Sequence, residues 1–255
     1  MTNQKILEKI FNKKQNVAEN FLEKTKLIGF DKKDPKEWPL EWKKINFKLY
    51  PRFKRILLDR KDKKDSRFLK FFLKRRSYRE FISKPISKEE LSVLLFYSSG
   101  IVKKENNWDE TKRPYPSAGA RYPLEIYPII FSASDLKPGV YHYDVKNHAL
   151  ELILRGNYKK EILKSIGQDF IKNSSLIIII SAVFGRTMIK YKERGLRYIF
   201  IEAGHLGQNI SLIAEKLGLC SCAIGGFIDE EINKLLDIDS QKESVIYIFA
   251  IGYKK

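Results

Sequence analysis

From Leu176 to Val183 the chain reads Leu-Ile-Ile-Ile-Ile-Ser-Ala-Val, eight residues in which Ser181 is the sole polar side chain. A strand with one solvated face alternates apolar and polar positions, whereas an unbroken apolar run must be covered on both faces. The run therefore predicts a strand inside a sheet with further layers packed above and below it, and it is far too short to span a bilayer. With 43% hydrophobic residues in 255, the chain has enough apolar material for one large or two small domains. Disorder of the chain as a whole is excluded.

Other segments supply the layers. Apolar positions recur at helical spacing over 4–27, and a helix is expected from 66 to 74. Ser87 with Glu90 three residues later forms a capping box, which predicts a helix to about Ser99. Residues 31–51, with Pro35, Trp38, Pro39, Trp42 and Pro51, are too aromatic for a flexible linker and too proline-broken for a helix, so they read as an arm. The segment 101–123 reads as a long functional loop. Strands are expected at 124–132, 139–143, 149–154 and 244–251. Residues 195–217 form the strongest helical pattern, with Gly204, Gly207 and Ala214 permitting close packing, and Asp229 is placed to cap a short helix ending near Leu236. Helices and strands intermix without strict βαβ alternation, so the expected class is α+β with a central, largely antiparallel sheet. The expected organisation is an N-terminal helical arm over 1–65 and a domain over 66–255.

Charge divides the chain the same way. Residues 1–85 carry 26 basic and 11 acidic side chains, against 23 and 20 in 86–255, and the whole chain is +18. Such an excess fits nucleic acid or an acidic partner, but the basic residues are mostly lysine, diluted with Asp59, Asp62 and Asp65, and no recognition motif accompanies them. Nucleic-acid binding is not the expected role. Cys220 and Cys222 are spaced badly for a disulfide and read as buried thiols, while His142, His148 and His205 lack metal-ligand spacing, so no metal site is expected. Lys5, Glu8, Lys9 and Lys13 interrupt the N-terminus, so no apolar signal segment is expected and the chain reads as cytoplasmic.

Arg75, Arg76, Ser77 and Arg79 place three guanidinium groups and a hydroxyl within five residues. At a helix end such a set can converge on a phosphate-sized anion, because guanidinium forks match phosphate oxygens. Spacing alone leaves a solvated basic surface equally open. That run, followed by Phe81, Pro85-Ile86-Ser87 and Ser98-Ser99-Gly100, resembles the opening of the FMN-dependent nitroreductase family. Pro116-Ser117-Ala118-Gly119-Ala120-Arg121-Tyr122-Pro123 and Gly139-Val140-Tyr141-His142-Tyr143 are similar to its SagB-type dehydrogenase branch, whose members oxidise azoline rings of ribosomal peptides to azoles. Lys190-Tyr191, Glu202-Ala203-Gly204-His205, Gly225-Gly226-Phe227 and Ile251-Gly252-Tyr253 extend the resemblance over 74–253.

The resemblance implies a nitroreductase-like fold, FMN as cofactor and a homodimer binding it between subunits. Arg75, Arg76, Ser77 and Arg79 would grip the FMN phosphate, ribityl and pyrimidine edge, where cations favour hydride acceptance. Pro116, Ser117, Ala118 and Gly119 would approach the ring, Gly225 and Gly226 would offer backbone N–H groups near N5, and Gln168 would touch the ribityl chain. Lys254 or Lys255 is a further candidate for the phosphate. Lys190 and Tyr191 would be catalytic, since aromatising an azoline removes a carbon-bound proton as well as a hydride. Without the resemblance they read as a surface pair on a loop, His205 as a hydrogen-bonded packing residue and Trp108 as either cleft lining or exposed packing. A modified peptide or small molecule would be the substrate, with a cyclodehydratase as a further partner. The alternatives are an NAD(P)H-dependent reductase of nitro, quinone or dehydroamino-acid substrates, and a basic peptide- or nucleic-acid-binding module with a degenerate flavin site.

Overall fold

The computed structural model describes residues 17–30, 39, 47–48, 50–58, 67–104 and 111–255. The expected helix before residue 17, the tryptophans of the arm and Trp108 lie outside the described residues. In chain order the elements are α1 (Val17–Thr25), α2 (Arg67–Lys74), β1 (Phe81–Ile82), α3 (Lys88–Ser99), β2 (Lys103–Lys104), β3 (Thr111–Lys112), β4 (Leu124–Ile130), β5 (Gly139–Asp144) and β6 (Ala149–Arg155). There follow α4 (Lys159–Ile166), β7 (Leu176–Val183), α5 (Phe184–Tyr191), α6 (Gly195–Lys216), β8 (Cys220–Ile224), α7 (Asp229–Leu236) and β9 (Glu243–Lys254). Short 3-10 turns lie at Ala118–Ala120, Asp169–Asn173 and Lys192–Arg194.

The central sheet runs β1-β9-β7-β4-β5-β6, with β8 also paired to β9, and the pairings between its strands are antiparallel. β7 sits between β4 and β9, which is why its sequence is apolar on both sides. Leu176, Ile178, Ile180 and Ala182 face a core shared with α3, α5 and α6, while Ile177 and Ile179 face a second core shared with α4 and α7. Each isoleucine so enclosed contributes about 1.5–3 kcal/mol of apolar transfer. The fold is the expected α+β arrangement, a mostly antiparallel sheet flanked by helices.

Local chemistry fixes the joints. Ser87 Oγ accepts the Glu90 N–H at 3.1 Å and Glu90 Oε2 accepts the Ser87 N–H at 2.8 Å, so the capping box forms where it was expected. Glu90 also receives the Tyr253 hydroxyl at 2.7 Å, tying the start of α3 to the end of β9. β9 extends past the expected limit to Lys254 because β1 and β8 both pair with its last residues. On α6, a β-carbon at Gly207 would lie 2.6 Å from Phe249 Cζ, so glycine lets the helix approach the sheet. Gly204 does not: nothing lies within 4 Å of that position, because it faces outward.

Asp229 is the first residue of α7 rather than its cap; Ile228 precedes the helix, and Asp229 Oδ2 accepts the Leu27 N–H at 3.2 Å. That contact, with Phe21 edge-on to Phe200 at 6.2 Å and Lys26 paired to Glu230, seats α1 on the body. Cys220 and Cys222 are free and buried. No helix among the described residues is long and apolar enough to cross a membrane.

Candidate active site

α5 leaves β7 directly and buries Phe184, Thr187 and Met188, which carries Lys190 and Tyr191 out on its last turn. They are helical, not on a loop. Their polar ends meet the turn of residues 116–119: a β-carbon on Gly119 would lie 2.7 Å from Tyr191 Oη and 3.1 Å from Lys190 Nζ. Gly119 takes φ 63°, and Ala120 and Tyr122 also have left-handed φ values of 51° and 43°. For L-residues that region costs roughly 1–2 kcal/mol each, so the turn is strained and needs holding.

Several bonds hold it. Ser117 Oγ donates to Glu202 Oε2 at 2.6 Å and accepts the Tyr122 N–H at 2.9 Å. Arg121 Nε donates to the Arg186 carbonyl at 2.7 Å, and Arg186 Nη1 donates to the Tyr122 carbonyl at 3.2 Å, which locks the turn to α5. Arg186 also pairs with Glu125 of β4, and Glu125 receives His142 Nε2 at 3.1 Å. The Tyr191 ring stands edge-on to Tyr198 at 5.0 Å, and Arg194 Nε donates to the Tyr198 hydroxyl. A cavity of about 230 Å³ opens beside the turn between Ser117, Ala118, Tyr198, Ile201, Glu202 and His205. An open cleft of about 680 Å³ lies along residues 111–122 and includes Arg113 and Tyr115. His205, expected as a packing residue, is exposed and lines the smaller cavity.

Glu202 is the residue that sequence reasoning passed over. Its side chain is buried, and burial pushes its carboxyl up to about 7 against the Ser117 hydrogen bond and the Arg113 charge. The signal was present: Glu202 falls beside Ile199, Ala203 and Leu206 on the apolar stripe of α6, where a carboxyl has no packing purpose.

The arginine cluster lies elsewhere, along the outer strand β8. Ser77 bridges Ser221, and the Tyr78 N–H donates to the Ser221 carbonyl at 3.1 Å. Arg76 Nη1 donates to the carbonyls of Leu73 and Arg75 at 2.8 and 2.9 Å, closing the end of α2. Arg75 is half-buried, while Arg76, Ser77 and Arg79 are exposed, and among the described residues no carboxylate pairs with the three arginines. Lys254 pairs with Phe81 on the same edge. Burial pushes both thiols up, with the charges of Lys254 on Cys220 and Arg79 on Cys222 opposing.

Gly225 and Gly226 follow β8; a β-carbon at Gly225 would meet nothing within 4 Å, and one at Gly226 only Leu27 Cδ1 at 3.8 Å. Their backbone is open to a ligand's approach. Gln168 is exposed before the turn Asp169–Asn173, whose Phe170 stacks on Phe81, and no hydrogen bond among the described residues joins Gln168 to the arginines. Nor does any hydrogen bond, ion pair or ring contact among the described residues join the arginine edge to the Lys190 and Tyr191 group.

A family model described as the nitroreductase family matches residues 72–253. A Methanocaldococcus jannaschii protein, the nitroreductase candidate MJ1384, is 37% identical over 183 residues, covering 71% of this chain and 88% of its own length. The Escherichia coli microcin B17-processing protein McbC is 27% identical over 147 residues, covering 55% of this chain, which spans about half of that relative (54%). Among solved structures, a chain of the E. coli microcin synthetase McbBCD complex with truncated pro-MccB17 bound matches with a TM-score of 0.79 and 20% identity, covering 100% of this chain and 98% of that one. At that identity the likeness concerns the fold.

Proposed function

The chain belongs to the nitroreductase family, and on that footing we propose that it is an FMN-dependent dehydrogenase of SagB type that oxidises thiazoline or oxazoline rings of a modified peptide to azoles. The observation that carries the proposal is the meeting of Lys190 Nζ and Tyr191 Oη at Gly119. An amine and a phenol that both reach the same residue without a side chain are the candidates for the base that takes a carbon-bound proton.

The residues fit the cofactor. The exposed guanidinium groups at Arg76 and Arg79, with half-buried Arg75 and the Ser77 hydroxyl, suit a phosphate tail, and the open backbone at Gly225 and Gly226 admits a planar ring that side chains would obstruct. In the proposed reaction Lys190 or Tyr191 takes the carbon-bound proton of the azoline, and FMN, when bound, would supply the two-electron hydride acceptor that the conversion to the aromatic azole requires. Ser117 and Gly119 shape the floor of the site, and Arg186 and Arg121 hold it against α5.

Because no described contact joins the arginine edge and the Lys190 group within one chain, we propose that FMN lies between two copies. The outward face of α6 supports a homodimer: Phe200, Ile201 and His205 are exposed there, and Gly204 leaves space for a close neighbour. The McbC relative, named for processing microcin B17, supports a modified-peptide substrate, and the resemblance to azoline oxidases adds a cyclodehydratase as partner.

The test is turnover of a synthetic thiazoline peptide by the FMN-loaded protein. Lys190→Ala and Tyr191→Phe are expected to lower kcat by about 10²-fold or more, as removal of a general base does. Wild-type turnover in both variants overturns the assignment. The archaeal relative's name favours a second reading, an NAD(P)H-dependent reductase. Rapid bleaching of the flavin on mixing with NADPH in a stopped-flow instrument distinguishes it.

A further inference from the structure

We propose that Glu202 is a positioning residue for Lys190 and Tyr191, acting through Ser117 and the strained turn that carries Gly119. This deepens the functional proposal above and rests on it.

Glu202 reaches the turn from α6, an element that otherwise buries Ile199, Ala203 and Leu206 there. Its Oε2 accepts the Ser117 hydroxyl, and Ser117 Oγ accepts the Tyr122 N–H, so one relay links both ends of the turn to the helix. Between those ends lie Gly119 and Ala120, and Tyr122 closes the set, all three at left-handed φ. Such a conformation persists only where neighbours over-determine it. If the relay is cut, the Arg121 and Arg186 bonds to α5 remain, but Gly119 loses part of what holds it against Tyr191 Oη and Lys190 Nζ. Among the described residues no group meets hydrogen-bond geometry at the buried Glu202 Oε1, so packing alone does not account for a carboxyl at this place.

The relay also responds to pH. The groups around the carboxyl are Ser117 and the Ala118 N–H from the turn and Arg113 and Tyr115 from the loop before it, while Tyr198 and His205 of α6 line the same cavity. Burial holds the carboxyl at about 7, so it is ionised above that pH and protonated below it. A carboxylate accepts the Ser117 hydroxyl more strongly than a neutral acid does. The turn is therefore expected to tighten as pH rises through about 7, with kcat rising alongside.

Two measurements test this on the full chain. Hydrogen exchange without flavin, followed by mass spectrometry, reads the amides of residues 117–122. Turnover of the thiazoline peptide against pH reads the loaded enzyme. Glu202→Ala is expected to speed exchange across 117–122 and to lower kcat about 10- to 100-fold, the scale of a small misplacement. Glu202→Gln keeps an acceptor oxygen for Ser117 but not the charge, so protection and turnover should stay near the level the wild type shows below pH 7, above that of Glu202→Ala, and the inflection near pH 7 should be lost. Wild-type exchange in Glu202→Ala, or the inflection surviving in Glu202→Gln, overturns the proposal. Should Glu202→Ala fail to fold, Ser117→Ala cuts the same relay, with faster exchange expected and unchanged exchange contradictory. If Lys190→Ala leaves turnover intact, the functional reading fails while the exchange result still decides whether Glu202 holds the turn.

Discussion

The phenolic oxygen of Tyr191 lies 2.7 Å from the place a β-carbon would take on Gly119, so residue 119 has to be glycine for Tyr191 to stand where it does. The two positions belong to different elements, a 3-10 turn before β4 and the last turn of α5, and their contact joins segments far apart in the chain.

Gly119→Ala follows directly. The new methyl group meets Tyr191 Oη and the backbone keeps a left-handed φ, so the fold is expected to lose about 1–3 kcal/mol. Turnover should fall by more than that stability change explains, because both proposed catalytic side chains are displaced. Chemical denaturation and kcat measured on the same preparation check both.

Stability should depend on pH through His142. Hydrogen bonding to Glu125, aided by Glu151, raises its imidazole from 6.5 to about 9. Its contribution is complete below about 6.5 and is lost as pH rises through about 9. Burial works against the Glu125 carboxylate, but His142 and Arg186 hold it below 4.5, so its share is present above 4.5 and is lost as pH falls through the lowered value. His142→Phe is expected to cost about 1.5–3 kcal/mol at pH 6 and progressively less as pH rises from about 6.5 to about 9, measured by urea unfolding.

On the outer face of α6, Ile201 is 56% exposed beside the open position at Gly204. Ile201→Glu is expected to convert the proposed dimer to monomer in sedimentation velocity and to weaken flavin retention together. A wild-type monomer that holds FMN tightly contradicts the shared site.

Arg79→Ala is expected to weaken FMN binding by about tenfold or more, the loss of one charge-assisted contact, with little change in melting temperature, since its side chain is exposed and makes no described ion pair. Arg76→Ala should affect both, because that guanidinium also closes the end of α2.

What the sequence disclosed was local chemistry. The Ser87 and Glu90 box and the β7 run each contain their own explanation within a few residues, and both elements formed where expected. α5 was missed because it starts without a side-chain cap and carries Gly185 in its first turn, so its helicity depends on Phe184, Thr187 and Met188 packing onto α6. β8, Cys-Ser-Cys-Ala-Ile, is buried at most positions but too small and too short to show a period. Gly204 was misjudged because composition says a helix can approach closely, not which side the neighbour stands on. The candidate site residues on each element were visible as motifs; that the arginine edge and the Lys190 group share no described contact was not, because such grouping depends on contacts distant in sequence.

The account stands most directly on what the purified protein carries. Its absorption spectrum, followed by identification of any released small molecule, is expected to show an oxidised flavin and to yield FMN at about one per chain. A colourless protein that added FMN does not turn yellow contradicts the account.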